Sequence, residues 1–231
     1  MKGKLTVICL LLFILCSIST VCAEDTNDTQ IMQSDAVDNL EVANDAVLMD
    51  SSGDLQKIIS SASVGSTIKL NSSYTPTSNI NIDKSITIDG RGNTIHCNKA
   101  SIRSSSGDIT LMNLNFVDGN SFNGGAVYIT GSAKFTIINC TFTNNKASSY
   151  GGAIYNNVLQ PLTIKDCKFT SNEAAHAGGA IFSKGVVVVE KSVFEKNHAR
   201  TDGGAIHGEK TVDVSNSVFN SNTVVIGLAA S

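Results

Sequence analysis

Gly-Gly pairs recur along this chain at a nearly constant spacing. They begin at positions 124, 151, 178 and 203, at intervals of 27, 27 and 25 residues. Between them the stretch CTFTNNKASSYGGAI at 140–154 returns almost unchanged as CKFTSNEAAHAGGAI at 167–181. A fixed period of about 20 to 50 residues is the sequence signature of solenoids and repeat arrays. The spacing therefore predicts that one structural unit is stacked several times.

Inside each repeat, apolar residues alternate with polar ones, which is typical of strands that turn one face inward. Each apolar position keeps its size and polarity class from one repeat to the next. The columns are Phe135, Leu162, Val187 and Val212; Ile137, Ile164, Val189 and Val214; Cys140, Cys167, Ser192 and Ser217; and Phe142, Phe169, Phe194 and Phe219. An earlier coil at 109–116 fits the same frame. Because a short strand pair cannot bury its apolar face alone, the repeats must stack, and we predict an all-β parallel β-helix.

One column of the repeat is aromatic and is predicted to form a continuous stack inside the β-helix. Its members are Phe116, Phe142, Phe169, Phe194 and Phe219. An asparagine lies three residues after each of the last four, at Asn145, Asn172, Asn197 and Asn222. Because asparagine tolerates left-handed backbone angles and its amide both donates and accepts, we expect an asparagine ladder in the turns. Both columns are interpreted as architecture rather than chemistry.

The repeat domain is predicted over 55–223, and a short helix is expected to cover its first coil. In DLQKIISSA, Asp54 is the expected N-cap, and Leu55, Ile58 and Ile59 share one face. Terminal coils of a solenoid need such a cap because their apolar ends are otherwise open.

The opposite end of the repeat domain is predicted to lack a cap. The frame requires another Gly-Gly where Leu228 and Ala229 stand, inside the apolar tail at 224–231. Open strand edges and an open apolar core invite pairing with other chains. We therefore expect either a fragment of a longer array or self-association through this edge.

The first 23 residues have the three parts of a secretory signal peptide. Two lysines lie near the start, 5–18 is apolar, and small residues lead to an expected cleavage after Ala23. A lipid anchor at Cys16 or Cys22 is the alternative. No later segment is long and apolar enough to span a bilayer, so the mature chain is expected to be secreted or held at the cell surface.

The charge distribution separates a leader from the repeats. Residues 24–54 carry nine acids and no lysine or arginine, which predicts a flexible acidic leader. After the predicted signal, 15 basic residues against 20 acidic ones leave a formal charge of −5. The basic residues are scattered and form no stripe, so nucleic acid is not an expected partner.

A second aromatic column is predicted beside the Gly-Gly-Ala motif. If Val127, Ile154, Ile181 and Ile206 point inward, their neighbours must point outward, and these are Tyr128, Tyr155, Phe182 and His207. The alternative is that the adjoining alanines point inward and carry the aromatic residues with them. In the first case the exposed row is the candidate binding surface, and it is expected to stack on sugar rings or on a partner's side chains.

Catalytic and metal sites are not predicted. Carbohydrate-cleaving β-helices need clustered carboxylates, but no two acids share a column on adjacent coils. The best remaining cluster, Asp83, Asp89 and Arg91, is interpreted as a turn because Asp-Gly is a common turn pair. The four histidines occupy different frame positions, which disfavours a zinc site. We therefore predict no catalytic residue, no metal and no cofactor.

Three cysteines remain after the predicted signal, an odd number that argues against a dense disulfide framework. Cys140 and Cys167 are expected one coil apart in an inward column, where they are buried thiols or, alternatively, a disulfide.

The motif GGA followed by Ile or Val, paired with FxxN, resembles the repeat of the polymorphic outer membrane proteins, which are secreted adhesins with β-helical passenger domains. The leader and the phrase ITIDGRGNTI at 86–95 look even more like the adhesin-like surface proteins of methanogenic archaea. The resemblance covers 55–222, although the arrays of that family are usually longer and followed by an anchor or export domain. It implies a right-handed, pectate-lyase-like solenoid and an adhesin-like protein that binds glycans or partner surfaces without catalysis. A polysaccharide lyase or glycosidase of the same fold is the alternative.

Overall fold

A computed structural model describes residues 47–49 and 54–225. The predicted signal peptide at 1–23, most of the predicted leader and residues 226–231 of the predicted tail lie outside these ranges. Among the residues that the structure describes, no helix is long and apolar enough to cross a membrane.

The chain winds into a parallel β-helix whose strands line up in four parallel sheets. Sheet 1 contains β1 (Val47–Met49), β2 (Thr67–Leu70), β4 (Ile86–Asp89), β7 (Asp108–Met112), β11 (Lys134–Ile138), β15 (Leu162–Lys165), β19 (Val187–Glu190) and β23 (Val212–Ser215). Sheet 2 contains β3 (Ile80–Asn81), β6 (Ile102–Ser104), β10 (Val127–Ile129), β14 (Ile154–Asn156), β18 (Ile181–Ser183) and β22 (Ile206–Gly208).

The other two sheets complete each coil. Sheet 3 contains β5 (Thr94–His96), β8 (Asn115–Val117), β12 (Thr141–Thr143), β16 (Lys168–Thr170), β20 (Val193–Glu195) and β24 (Val218–Asn220). Sheet 4 contains β9 (Asn120–Ser121), β13 (Lys146–Ala147), β17 (Glu173–Ala174), β21 (His198–Ala199) and β25 (Thr223–Val224). A full coil passes through sheets 2, 1, 3 and 4 in that order, which confirms the predicted fold class.

Strand pairing places equivalent repeat positions next to each other. Phe135 pairs with Leu162 and Leu162 with Val187, so the columns read from the sequence are neighbours in space. One apolar core extends through the coils from Leu55 to Ala205. The strand β1 lies within the segment predicted as a flexible leader, yet it pairs in parallel with β2. The leader prediction is therefore wrong for these three residues, because they add a strand to the start of sheet 1.

The predicted capping helix is present as α1 (Leu55–Ser61). The Asp54 carboxylate accepts a hydrogen bond from the Gln56 amide at 3.0 Å, as an N-cap should. Leu55 and Ile59 are buried in the core, and Ile58 packs against it. The helix therefore closes the apolar end of the first coil.

The phenylalanine column forms a stack of rings at the spacing of the coils. Neighbouring centroids lie 4.7 to 4.8 Å apart, with ring planes within 11° of each other. Ile95 lies before Phe116 in the same column, and Tyr74 pairs with Ile95 from the coil before that. In the last described coil, Phe219 stacks on Phe194 but remains 44% exposed.

The asparagine ladder runs beside these rings. The amide group of Asn145 donates to the Oδ1 atom of Asn172 at 3.0 Å, and that of Asn172 donates to Asn197 at 2.9 Å. Each side chain also donates to a carbonyl of the preceding coil, as Asn172 does to Phe142 at 3.0 Å. The expected left-handed angles are not at these asparagines. They lie one residue earlier, for example at Asn144 (φ 56°), because the turn needs the ladder residue in a conformation that aims its amide inward.

The two glycines of each pair serve different purposes. Gly151 has a φ of +64°, in the left-handed region that side chains disfavour. A Cβ atom on Gly152 would lie 2.1 Å from the carbonyl oxygen of Gly179 in the next coil. The first glycine therefore permits the turn, and the second permits the close approach of adjacent coils.

Candidate functional site

The outer aromatic column is built by the register of sheet 2. Strand pairing places Tyr128 beside Tyr155, Tyr155 beside Phe182, and Phe182 beside His207. Val127 and Ile154, which alternate with these residues, belong to the main core. The aromatic side chains therefore lie on the outer face of the solenoid, as the first of the two orientations considered above requires.

The outer rings stack on one another along the solenoid axis. Centroids are 5.4 Å apart for Tyr128 and Tyr155, 5.3 Å for Tyr155 and Phe182, and 5.0 Å for Phe182 and His207. The guanidinium carbon of Arg103 lies 5.2 Å from the Tyr128 centroid and covers its other face. Both faces of Tyr128, Tyr155 and Phe182 are therefore occupied, so these three rings offer their edges to a ligand.

Residues from a neighbouring turn cover the middle of the row. The ring of Tyr150 lies 4.7 Å from that of Phe182 and 5.3 Å from that of His176. Tyr155 is only 7% exposed and Phe182 only 5%, and with Ala177 they form a second buried cluster outside the main core. The prediction of a fully exposed binding row is therefore wrong at these two positions. Tyr128 and His207 remain half-buried.

The environment of Tyr155 disfavours the charged form of its hydroxyl group. Burial raises the pKa of this group above its ordinary value of 10.0, and the neighbouring Tyr128, Glu209 and Tyr150 raise it further. The hydroxyl donates a hydrogen bond to the Oδ1 atom of Asn157 at 3.2 Å. Tyr155 is therefore a neutral hydrogen-bond donor at physiological pH.

A groove of about 550 Å³ lies against this second cluster. We call it the aromatic groove. Its wall is formed by the Tyr150, Tyr155 and Phe182 rings. Its polar rim is formed by His176, Lys184, Thr201, Asp202, His207 and Glu209. The groove thus combines an apolar wall with side chains of both charges, which is the composition of a ligand site rather than of a bare solenoid surface.

Backbone hydrogen bonds between coils fix the rim. The His176 amide donates to the carbonyl of Ser149 at 2.8 Å, and the Glu209 amide donates to that of Ser183 at 2.8 Å. The carbonyl of Asp202 accepts from the Gly178 amide at 2.9 Å. Hydrogen bonds between the turns of adjacent coils therefore fix the backbone at these three rim residues.

Sequence reasoning missed most of the residues that line the aromatic groove, among them Tyr150, Ala177 and Asp202. Tyr150, Ala177 and Asp202 each stand directly before a Gly-Gly pair, and Ala177 and Asp202 form a parallel bridge. The position before Gly-Gly was the available signal, because in a solenoid a recurring frame position becomes a column in space. The residues at this position belong to different side-chain classes, so the sequence does not show them as a repeated column.

The acidic cluster considered in the sequence does not form one site. The Asp89 carboxylate accepts from the Arg91 amide at 3.0 Å, and Arg91 reaches the Asn71 side chain at 2.8 Å. Arg91 has a φ of 54°, so this stretch is a tight turn, as interpreted. Asp83 instead accepts from the hydroxyl of Ser105 at 2.8 Å, in a different turn.

Acids along the strands are paired with bases on neighbouring coils. Lys165 lies beside Glu190, with 3.5 Å between the ammonium and the carboxylate, and Lys146 lies 2.8 Å from Glu173. These partners are exposed, so solvent screens each pair and its contribution to stability is small. They are surface ladders and not acid–base pairs for catalysis.

The three described cysteines are free and buried. The Cys140 amide donates to the Cys167 sulfur at 3.4 Å, so the two residues stack in one column. Burial raises the pKa of the Cys140 thiol and raises that of Cys97 to about 12. Buried neutral thiols of this kind are poor nucleophiles. In the part of the chain that the structure describes, no three His, Cys, Asp or Glu side chains lie close enough together to hold a metal ion.

Comparison with known proteins gives one match. The family described as "Right handed beta helix region" matches residues 78–231, about two thirds of the chain. No curated protein and no solved structure matches the chain.

Proposed function

This chain belongs to the family of right-handed β-helix proteins, and from that premise we propose that it is an adhesin-like protein that presents the aromatic groove to a glycan or to a partner surface. The β-helix is a scaffold that serves both enzymes and non-enzymes, so the proposal depends on the site and not on the fold. The protein acts in this proposal by display and contact, without catalysis, outside the cell. The signal pattern at 1–23 and the resemblance to secreted adhesins support this location.

The aromatic groove is the observation that carries the proposal. Elsewhere on the outer strand faces, columns such as Thr110, Thr136 and Thr163 repeat small polar residues that suit a solvated sheet. In contrast, large rings gather outside the core at Tyr150 and Phe182, although the solenoid is already closed by its inner stack. A second apolar cluster with a charged rim supports a binding role, since a solenoid needs neither for stability.

The rim defines how a ligand is held. Lys184 supplies a cation, and Asp202 and Glu209 supply acceptors for hydroxyl groups. The rings contribute their edges, which carry partial positive charge and attract oxygen atoms. A polyhydroxylated ligand such as a glycan meets these requirements better than a purely apolar one.

Catalysis is the second candidate, because Asp202 and Glu209 line the same groove. Glycosidases use two carboxylates on either side of the scissile bond. A polysaccharide lyase or glycosidase therefore remains the alternative proposal, with these two residues as its acid and base.

One set of variants separates the two proposals. The protein is titrated with defined oligosaccharides by calorimetry, and the same mixtures are assayed for new reducing ends and unsaturated sugars. Adhesin-like binding predicts saturable heat without products, weakened by Glu209→Gln and unchanged by Glu173→Gln, an exposed acid on sheet 4. Product formation that is lost in both Asp202→Asn and Glu209→Gln would overturn the non-catalytic proposal.

Self-association is a further part of the proposal. In the last described coil, the inward-facing Val212, Val214 and Phe219 are exposed, and they line a groove of about 450 Å³. Exposed strand edges beside an apolar column favour pairing with a second copy. Sedimentation at rising protein concentration should show association that Val214→Lys suppresses, and a concentration-independent monomer would count against it.

A further inference from the structure

A second groove, of about 240 Å³, lies at the N-terminal side of the outer aromatic row. Strand pairing places Arg103 of β6 directly beside Tyr128 of β10. Both side chains line this groove, together with Asn81, whose amide can donate and accept, and with Asp83, Ser104, Ser105 and Thr130. We call it the arginine groove. It is separate from the aromatic groove, with which it shares no lining residue.

The guanidinium group of Arg103 is held in place but is not neutralised. Its Cζ atom lies 5.2 Å from the centroid of the Tyr128 ring, and its Nε atom donates to the Ser101 hydroxyl at 3.3 Å. None of the ion pairs between described residues involves Arg103. A planar guanidinium fixed in this way presents its remaining N–H groups as a pair of parallel donors.

The carboxylate of Asp83 is also fixed, and it is the acceptor of the groove. Its Oδ1 atom accepts from the Ser105 amide at 3.2 Å and from the Ser105 hydroxyl at 2.8 Å. These two bonds orient the group. The second carboxylate oxygen accepts no hydrogen bond from a described residue, so it is open to a donor from outside.

The hydroxyl groups of the groove already donate within the chain. Ser104 donates to the Ser106 carbonyl at 3.0 Å, and Thr130 donates to the Ser104 carbonyl at 3.2 Å. The Ser105 proton goes to Asp83. Each of these three oxygens can therefore offer a ligand only lone pairs, because a hydroxyl has one proton to give.

The groove thus combines one rigid double donor with one rigid carboxylate and several hydroxyl acceptors. A ligand that fits must accept a hydrogen bond at one atom and donate at its neighbours. Adjacent hydroxyl groups of a neutral sugar do both, since each hydroxyl accepts and donates. A carboxylate ligand would bind Arg103, but it would be repelled by the Asp83 carboxylate.

We propose that the arginine groove is a binding subsite for the vicinal hydroxyl groups of a neutral sugar residue, with Arg103 as donor and Asp83 as acceptor. The proposal deepens the proposed function, on which it rests for the assignment of a glycan ligand. Tyr128 supports the subsite by holding Arg103 against its ring face. Its own faces are covered by Arg103 and Tyr155, so the sugar is held by hydrogen bonds rather than by stacking.

Nitrogen-15 NMR of the arginine side chains provides a direct test. The chain has three arginines, Arg91, Arg103 and Arg200, so their Nε–H signals can be assigned by single substitution. The probes are the neutral tetrasaccharides of cellulose, mannan and xylan, and the acidic tetrasaccharide of polygalacturonate. We expect a neutral probe to shift the Arg103 signal in a saturable way and to leave the Arg91 signal in place.

The Asp83→Asn substitution identifies the ligand class by the sign of its effect. A hydroxyl ligand loses a charged acceptor, so its affinity should fall about tenfold. An acidic ligand loses a repulsive neighbour, so its affinity should rise. Asp108→Asn, an exposed acid on sheet 1, is the matched control and should change neither affinity.

The possible results separate this proposal from the proposed function. Preferential binding of the acidic probe, strengthened by Asp83→Asn, would overturn the neutral-sugar assignment. Binding that Glu209→Gln weakens while the Arg103 signal stays fixed would overturn the subsite alone and leave the aromatic groove as the ligand site. A shift at Arg103 that Glu209→Gln leaves unchanged would support the subsite even if the aromatic groove binds no probe. An Arg103 signal that no probe moves would also overturn the subsite.

Discussion

Two columns of rings run along this solenoid, one inside the coils and one outside. The inner rings are all phenylalanine, with neighbouring centroids 4.7 to 4.8 Å apart and planes within 11°. The outer column changes from Tyr128 and Tyr155 to Phe182 and His207, with spacings of 5.0 to 5.4 Å and planes tilted by up to 24°. Both columns stack because parallel strands bring equivalent residues to about 4.8 Å on either face.

The difference between the columns lies in what surrounds them. The inner rings are enclosed by sheets on all sides, so a change in ring size would leave a cavity or a clash. Tyr150 covers the outer rings of Tyr155 and Phe182, which are buried, whereas Tyr128 and His207 at the two ends of the row remain half-buried. The residue type is therefore constrained in the inner column, whereas each coil can carry a different side chain in the outer column. Four experiments test this contrast.

The largest effect is expected from the inner column. Phe169→Ala removes a ring that is fully buried between Phe142 and Phe194, and should lower the free energy of unfolding by about 3 to 5 kcal/mol. Phe122→Ala is the control, because that ring is 69% exposed, and it should cost less than about 0.5 kcal/mol. Denaturant unfolding measures both, and equal losses would mean that the inner column does not carry the core.

The second-largest loss of stability is expected from the asparagine ladder. Asn172→Ala removes the acceptor of two Asn145 donors and the donor to the Phe142 carbonyl, all of them buried. Leaving such groups unpaired should cost about 2 to 4 kcal/mol. Asn120→Ala, an exposed amide on sheet 4, is the control. A loss no greater than that of the control in the same denaturant experiment would contradict the ladder's role.

A smaller loss of stability is expected from the outer column. Tyr155→Ala removes one ring between Tyr128 and Phe182 and should cost about 2 kcal/mol, because this ring lies on the outer face, where water can refill part of the space. The substitution should also weaken any ligand of the aromatic groove more than its stability loss explains. A cost as large as that of Phe169→Ala would show that the outer cluster is a second core and not a site.

The smallest effect concerns the Tyr155 hydroxyl group. Its pKa is raised in the folded protein above the ordinary 10.0, so folding favours the protonated form. This contribution is complete below the unfolded pKa and is lost as pH rises through the folded one. As pH rises above the ordinary pKa of 10.0, the wild type should therefore lose more stability than Tyr155→Phe. Parallel pH dependence of the two proteins in denaturant unfolding would contradict the burial of this hydroxyl.

The repeat alone was enough to predict the coils and the inner stack. Phe142, Phe169 and Phe194 recur at one frame position, and a parallel solenoid turns a frame position into a column in space. The helix at Leu55–Ser61 was predicted for a similar reason, since its cap and its apolar face are local features. In each case the physical cause acts along the chain or between identical positions, so the sequence displays it directly.

Tertiary structure decided which outer side chains are reachable. Alternation predicts that Tyr155 points outward, but whether it is exposed depends on Tyr150, which arrives from a turn at another frame position. In the same way Arg103 pairs with Asn81, two residues before Asp83, but only the stacking of these two coils brings Arg103 and Asp83 to one groove. Periodicity fixes the direction of a side chain relative to its own strand, because the pleat alternates. It does not fix what a neighbouring turn lays over that side chain, because turn residues follow no alternation and their positions depend on contacts between coils.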